Sequence, residues 1–334
     1  MTRHIARRIV LLFPTLFGIS LLTFVLLRLI PGDPAQVMLG ERAAADQVAR
    51  FRAARGLDDP LPIQYWRYAE SILRGDLGRS IKTNLPVTTE LAQRFPATIE
   101  LGIGALLIAC AFGIPLGVLA AYRRDSVFDW FAGGTTLIGV SIPLFWLGLI
   151  VSYLFGYRLG WLPPSGRLTI GIEVSPISGF YLLDAILTGN IEALGDALRH
   201  LVLPALTLSI VPLAVIVRMT RACLLEMLAQ DHIRTARAKG LAERTVVFVH
   251  ALRNAMPTIA TMIGLQCGAL FSGAILTETI FSWPGMGQLI VDRVLARDYP
   301  IVQGVVVAVA LLFITINLLT DVCYAYLNPH IRYE

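Results

Sequence analysis

Along the chain, apolar runs long enough to cross a bilayer alternate with polar stretches. A crossing helix needs ~20 mostly apolar residues, since each residue rises ~1.5 Å through a hydrocarbon layer of ~30 Å. Six runs meet that need: 9–30, 97–122, 131–157, 201–218, 258–280 and 301–320. The pattern predicts an all-α polytopic membrane protein with about six transmembrane helices. The apolar patch Phe180 to Leu187 is too short to cross.

The polar stretches are 1–8, 31–96, 158–199, 219–257, 281–300 and 321–334. In the first long one, Gly56-Leu-Asp-Asp-Pro60 and Arg74-Gly-Asp-Leu-Gly78 mark turns. Helical patterning from Ile63 to Leu73 predicts a small packed extension there instead of a loose linker. The run 9–30 exceeds the 7–15 apolar residues of a cleaved signal peptide. Arg28-Leu-Ile-Pro-Gly-Asp-Pro34 stands where small residues would mark a cleavage site, so an uncleaved span is expected.

One polar stretch is patterned differently. Asp231 to Pro257 reads D-H-I-R-T-A-R-A-K-G-L-A-E-R-T-V-V-F-V-H-A-L-R-N-A-M-P, basic and helix-like. Asp231 is placed to cap a helix, its carboxylate accepting from the first-turn N–H groups. Gly240 follows where a helix would close in the left-handed conformation. A second helix is expected from about Glu243 to Asn254, before Pro257 begins the next apolar run. The stretch predicts a short helix, a glycine elbow and another helix.

Composition supports the membrane reading. Of 334 residues, 56% are hydrophobic and 15% charged, against roughly 25% charged in a soluble domain. The net charge of +5 is carried mainly by Arg, with Lys only at Lys82 and Lys239. No polybasic tract exists, so nucleic acid is not an expected partner; membrane lipid is. Cys110, Cys223, Cys267 and Cys323 share no paired spacing and read as small buried hydrophobes, not as a disulfide or zinc set.

Short loops rich in Lys and Arg face the cytoplasm. Arg3, Arg7, Arg8, Arg123, Arg124 and seven cations from Arg218 to Arg253 fall on one side; Arg158, Arg167, Arg199, Arg293 and Arg297 fall on the other, outside the long first loop. Both termini and the 219–257 segment are expected in the cytoplasm. Gly113-x-x-x-Gly117 and Gly264-x-x-x-Gly268 permit close helix approach. Pro115, Pro143, Pro204 and Pro212 lie inside predicted spans, where freed carbonyls need protein or a wet cavity.

The chemistry that is missing narrows the function. There is no G-x-x-x-x-G-K-[ST] for ATP, no complete dinucleotide fingerprint, no G-x-S-x-G and no H-E-x-x-H. No catalytic residue, cofactor site or metal site can be assembled. Glu100, Arg218, Glu278 and Asp321 lie at span edges, whereas proton-coupled carriers place ionisable groups inside spans. A chain that moves a solute uphill must then draw energy from another subunit, through its one large cytoplasmic segment.

That segment resembles the cytoplasmic coupling loop of ATP-binding-cassette importer permeases, whose general pattern is E-A-A-x3-G-x9-I-x-L-P. Gly240 takes the Gly position, while the leading Glu and closing Pro are absent. R-T-A-R-A-K-G-L with H-A-L-R-N-A is similar to the version in the peptide-importer subfamily. L-R-L-I-P-G-D-P (27–34), G-D-L-G-R-S (75–80), P-L-F-W-L-G (143–148), I-L-T-E-T-I-F-S-W-P-G-M-G (275–287) and R-D-Y-P-I-V-Q-G (297–304) resemble the same subfamily along nearly the whole chain. The nearest likeness is to the first permease subunit of dipeptide importers, with oligopeptide and nickel permeases close by.

The resemblance implies a type I importer fold in a bacterial inner membrane. It also implies a second homologous permease, two ATPase subunits holding ATP and Mg, and an extracytoplasmic solute-binding protein. Dipeptides are the expected cargo, with oligopeptides, haem or nickel chelates as alternatives. A gradient-driven carrier or a multi-span sensor without ATPase would be different classes. The expected ATPase-coupling residues are Asp231, Ile233, Arg234, Thr235, Ala236, Arg237, Ala238, Lys239, Gly240 and Leu241. Arg234, Arg237 and Lys239 would form a polar rim, and Ile233, Ala236 and Ala238 are small enough for a partner's groove. Loops 31–96 and 158–199 are the expected docking surfaces for the binding protein.

Overall fold

A computed structural model describes residues 2–29, 34–40 and 43–327. Residues 30–33, 41–42 and the tail 328–334 lie outside the described residues, as do the side chains of residues 2–13 and 321–327. The regular elements described are helices: α1 (Thr2–Leu29), α2 (Pro34–Leu39), α3 (Ala45–Arg55), α4 (Leu61–Leu73), α5 (Val87–Tyr122), α6 (Val127–Ser141), α7 (Leu144–Arg158), α8 (Tyr181–Leu187), α9 (Ile191–Leu228), α10 (Asp231–Ala238), α11 (Glu243–Ile280), α12 (Met286–Leu295) and α13 (Tyr299–Leu327). Contacts divide the chain into two units. The larger is built from Pro96–Pro284 and the chain from Thr315, the smaller from Thr2–Phe95 and Gly285–Ile314.

In the larger unit, α5 carries Ala97, Ala105, Ala109, Gly113, Gly117 and Ala121 in a row of every fourth position, small residues broken only by Leu101. Positions four apart share one helix face, and this face meets α9. A Cβ on Gly113 would stand 2.9 Å from Ile216 Cγ2, and one on Gly117 would stand 2.7 Å from Thr220 Cβ. The expected G-x-x-x-G approach is therefore present, as one end of a longer ladder. Contact positions rise together on α5 and α9, from Gly104 with Leu201 to Gly117 with Thr220, so the two helices run the same way.

Helix α6 opposes them, with Ala132 beside Val217 and Gly139 beside Ile210 and Ala214. Helix α11 opposes α9 likewise, with Gly273 at Leu208 and Ala255 and Ile259 at Cys223. Successive crossings thus alternate in direction. The short connection after α5 and the α10 segment share one end of this unit; 158–190 lies at the other.

Several boundaries differ from the hydropathy reading. α5 begins at Val87, α9 runs 38 residues, and α11 starts at Glu243. Pro115, Pro204, Pro212 and Pro257 sit inside continuous helices. Only Pro143 interrupts a run, separating α6 from α7. Proline has no N–H to donate, so a helix that keeps it need only leave the carbonyl four residues earlier without its usual partner, and hydropathy cannot tell a tolerated Pro from a break. The expected second helix Glu243–Asn254 is instead the first part of α11, with a π-type turn at Val246–Ala251. The helical pattern expected at Ile63–Leu73 falls within α4, α2 and α3 precede it, residues 74–86 are turns and irregular chain, and 281–300 adds α12.

The smaller unit has its own apolar nucleus of Val87, Leu91, Met286, Leu289, Ile301 and Val305. Gly304 lets α13 close on α5, since a Cβ there would lie 2.4 Å from Val87 Cγ1. Asp298, fully buried, accepts from Ser80 Oγ at 2.5 Å, Ile81 N at 3.0 Å and Lys82 N at 3.3 Å. Arg293 pairs with buried Glu90 at 2.9 Å, and Glu90 also accepts from Thr83 Oγ1.

Asp298→Ala would strand the Ser80 hydroxyl in the interior. We expect a loss of about 2 kcal/mol, read as a lowered Tm of the purified chain in detergent, with Asp298→Asn falling between.

Candidate functional site

Helix α10 is short and closed at its far end by backbone bonds. Gly240, at φ +75°, brings its N–H to Arg237 O at 2.9 Å, and Leu241 N reaches Ala236 O at 3.4 Å. That pair of crossed bonds is the Schellman motif, and the positive φ is why glycine stands there. The start of the helix differs from expectation. Gln230, extended at ψ 154°, is the cap residue and makes no side-chain cap bond. Asp231 is the first helical residue, and its carboxylate meets Arg234 at 3.3 Å. It acts on the first-turn dipole by charge and not as a cap.

Two faces of α10 have opposite fates. Ile233 is 0% exposed and Ala236 7%; they pack with Val118 and Ala121 of α5, Leu224 of α9, and Val246, Val247 and Ala251 of α11. These two residues, expected to enter a partner's groove, are instead bound within the chain's own core. Their i, i+3 spacing puts them on one face, and that face is the anchor. Asp231, His232, Arg234, Thr235, Arg237, Ala238, Lys239, Gly240 and Leu241 are exposed. Of the residues singled out from sequence, this face keeps together all but the anchoring pair.

The elbow is braced. Arg237 grips Glu243 through Nε and Nη2, at 3.1 and 2.6 Å. This hydrogen-bonded pairing holds the Arg237 pKa above its ordinary value. Asn254 Nδ2 donates to His250 O at 2.8 Å just beyond the π-type turn. Open space surrounds the Gly240 Cα on its side-chain face, so a Cβ there would meet nothing of this chain within 4 Å.

The sequence reading missed three buried polar ties in this unit. Arg221 of α9 forks onto Asp129 in the first turn of α6, at 2.5 and 2.7 Å. Arg167 binds Glu100 of α5 at 2.5 Å and stacks 3.7 Å from the Tyr181 ring, while Leu182 N donates to the other Glu100 oxygen at 2.8 Å. Thr98 Oγ1 donates to Glu278, fully buried, at 2.6 Å. A further carboxylate, Asp184, fixes the 177–179 turn: burial raises its pKa, but donors from Ser178, Gly179 and Ile177 outweigh that and leave it lowered. The available signal was an ionisable residue inside or beside an apolar run, which demands a partner. The partner's identity needed the fold.

The strings that marked the resemblance are joints of this framework. Gly148 of P-L-F-W-L-G abuts Thr207, Ile280 and Phe281. Trp283, 1% exposed, joins the Leu101–Leu201–Leu270 cluster and donates to Ala97 O at 2.8 Å. In the smaller unit, Ser80 of G-D-L-G-R-S is held by Asp298 of R-D-Y-P-I-V-Q-G.

Comparison with known proteins agrees along the full length. A family model described as binding-protein-dependent transport system inner membrane component matches residues 113–333. A model for the N-terminal part of such membrane components matches residues 1–102. The chain is 50% identical over 335 residues to the di/tripeptide transport system permease protein of Pseudomonas aeruginosa, covering 100% of both. It is 48% identical over 338 residues to the dipeptide transport system permease protein of Escherichia coli K12, again covering 100% of both. The glutathione transport system permease protein of Salmonella paratyphi A is 40% identical over 334 residues, with 100% of each chain covered.

The Arg221 hydrogen bond, with smaller help from Asp125 N and nearby cations, outweighs burial and holds the Asp129 carboxyl below its ordinary value. A depressed folded-state pKa gives stability that is full above the unfolded pKa of ~4 and lost as pH falls through the folded value. Asp129→Asn should therefore lower Tm by a constant amount from pH 8 to about 6, and the difference should shrink below about pH 4.

Proposed function

The chain belongs to the binding-protein-dependent transport system inner membrane components, and we propose that it is the permease subunit of an ATP-driven importer that carries dipeptides by alternating access. It is a multi-pass inner-membrane protein. Full-length identity of 48–50% to permeases of dipeptide and di/tripeptide systems supports the cargo. A relative named for glutathione transport supports small peptides more widely as a second reading.

The observation that carries the mechanism is the divided helix α10. Its inner face is fixed to α5, α9 and α11 through Ile233 and Ala236, and its outer face is polar and open. A force on that outer face passes to three helices without first deforming a loop. In our reading, ATPase subunits with their own ATP and Mg grip the rim of Arg234, Thr235, Arg237, Ala238, Lys239 and Gly240. Closure of those subunits then tilts the spans. Contacts that differ between the two states are what shift the equilibrium.

On this reading α10, the Arg123–Arg124 turn and both termini lie in the cytoplasm. The shared end of the larger unit supports the first two, and the Lys and Arg distribution supports the termini. A second permease and a solute-binding protein would complete the assembly, the latter engaging the 31–96 and 158–199 segments.

Gly240→Asp tests the mechanism. A Cβ there meets no atom of this chain within 4 Å, so the main cost to folding is the strain at φ +75°, about 1 kcal/mol. The variant should reach the membrane and co-purify with its partner permease, yet take up labelled dipeptide at no more than about a tenth of the wild-type rate, a loss of ~1.4 kcal/mol or more of transition-state stabilisation. Uptake equal to wild type would contradict it.

A further inference from the structure

Helix α4 carries an apolar surface that its packing does not use. Successive residues turn ~100°, which puts Tyr65, Tyr68 and Ile72 on one side, Pro62, Trp66 and Leu73 on the adjoining side, and Gln64, Arg67, Glu70 and Ser71 opposite. The first group faces α1. Tyr65 stacks edge-on against Phe17 and Phe24, at 5.8 and 5.3 Å between ring centres. Its hydroxyl lies 2.9 Å from Ser20 Oγ. Tyr68 stacks on Phe24, and Gln64 accepts from Arg28 at 2.8 Å. The adjoining side is bare: Trp66 is 72% and Leu73 83% exposed.

The depth of that seat decides what covers the bare side. Counting ~1.5 Å per residue from Ile9, where the apolar run of α1 begins, Ser20 stands ~16 Å, Phe24 ~22 Å and Arg28 ~28 Å across a hydrocarbon layer of ~30 Å. Tyr65 and Tyr68 therefore meet α1 below the membrane face opposite its N-terminus, with Arg28 and Gln64 near the surface. At the same depth on α1, the apolar side chains Leu21, Leu22, Val25 and Leu26 are exposed as well. The bare side of α4 lies at that depth too. The charges of α4 are matched locally: Arg67 with Asp59 at 2.6 Å and Arg74 with Glu70 at 2.5 Å. Such pairing lowers the penalty of standing at a low-dielectric boundary, and Trp66 suits the headgroup level.

We propose that α4 is an interfacial helix, seated on α1 and embedded in the outermost acyl region of the leaflet opposite the N-terminus, with Pro62, Trp66 and Leu73 against phospholipid chains. Part of the first long polar segment is then a membrane element, and lipid holds the rest of that segment at a fixed height above the bilayer.

The test uses the full-length chain in phospholipid vesicles, with its four native cysteines replaced and one environment-sensitive fluorophore at Trp66→Cys, Leu73→Cys or Arg67→Cys. Lipid bearing a nitroxide on the acyl chain should quench the first two probes at least about twofold more than the third, and aqueous iodide should do the reverse. Iodide quenching all three alike would place the helix in water and overturn the proposal. Shielding of Trp66→Cys and Leu73→Cys from both quenchers would also overturn it, since the stripe would then be a protein seat. Retained dipeptide uptake by each labelled variant, once partners are supplied, shows that the fold is intact.

Discussion

The burial of Ile233 and Ala236 is the interaction on which the rest depends. Without it α10 would be one more amphipathic segment at a membrane surface, free to move without consequence. With it, a helix of eight residues becomes the meeting point of α5, α9 and α11. A fully buried isoleucine contributes roughly 1.5–3 kcal/mol relative to exposure, which favours rigid motion of helix and spans over detachment. Arg237 and Glu243 brace the elbow, and the Gly240 turn ends the helix where the rim must be open.

The same economy of contact runs through the larger unit. In a membrane no hydrophobic force separates helix from lipid, so association rests on close packing and on polar ties. α5 supplies closeness with its ladder of Ala and Gly residues. The polar ties sit at the two ends: Asp129 with Arg221 at the α10 end, and Glu100 with Arg167 at the other. Breaking such a pair leaves a charge without its partner, and that penalty makes these ends well defined.

Much of this was legible in the residues, and the failures have physical causes. The apolar runs foretold where the apolar helices lie, four of them long enough to cross a membrane among the described residues and two shorter, and Gly240 was foretold because so few residues tolerate its φ. Helix ends were not legible. Val87 begins a helix ten residues before the apolar run, since α5 continues into protein contacts where polar residues such as Glu90 are satisfied. Asp231 looked like a cap because its type suits one, but the backbone turned a residue earlier. The inward turn of Ile233 was hidden for a related reason: a two-residue apolar face serves a partner or the chain's own core equally well until the neighbouring helix ends are in place.

The central claim is that α10 has an inner face owned by the permease and an outer face owned by the ATPase. Maleimide labelling of single cysteines at 233, 234, 236, 237 and 239, with and without the ATPase subunits, reads both faces at once. The account predicts that 233 and 236 stay unreactive throughout, and that 234, 237 and 239 react freely in the permease alone and become protected when the ATPase is bound. Equal labelling of the three rim positions with and without the ATPase would contradict it.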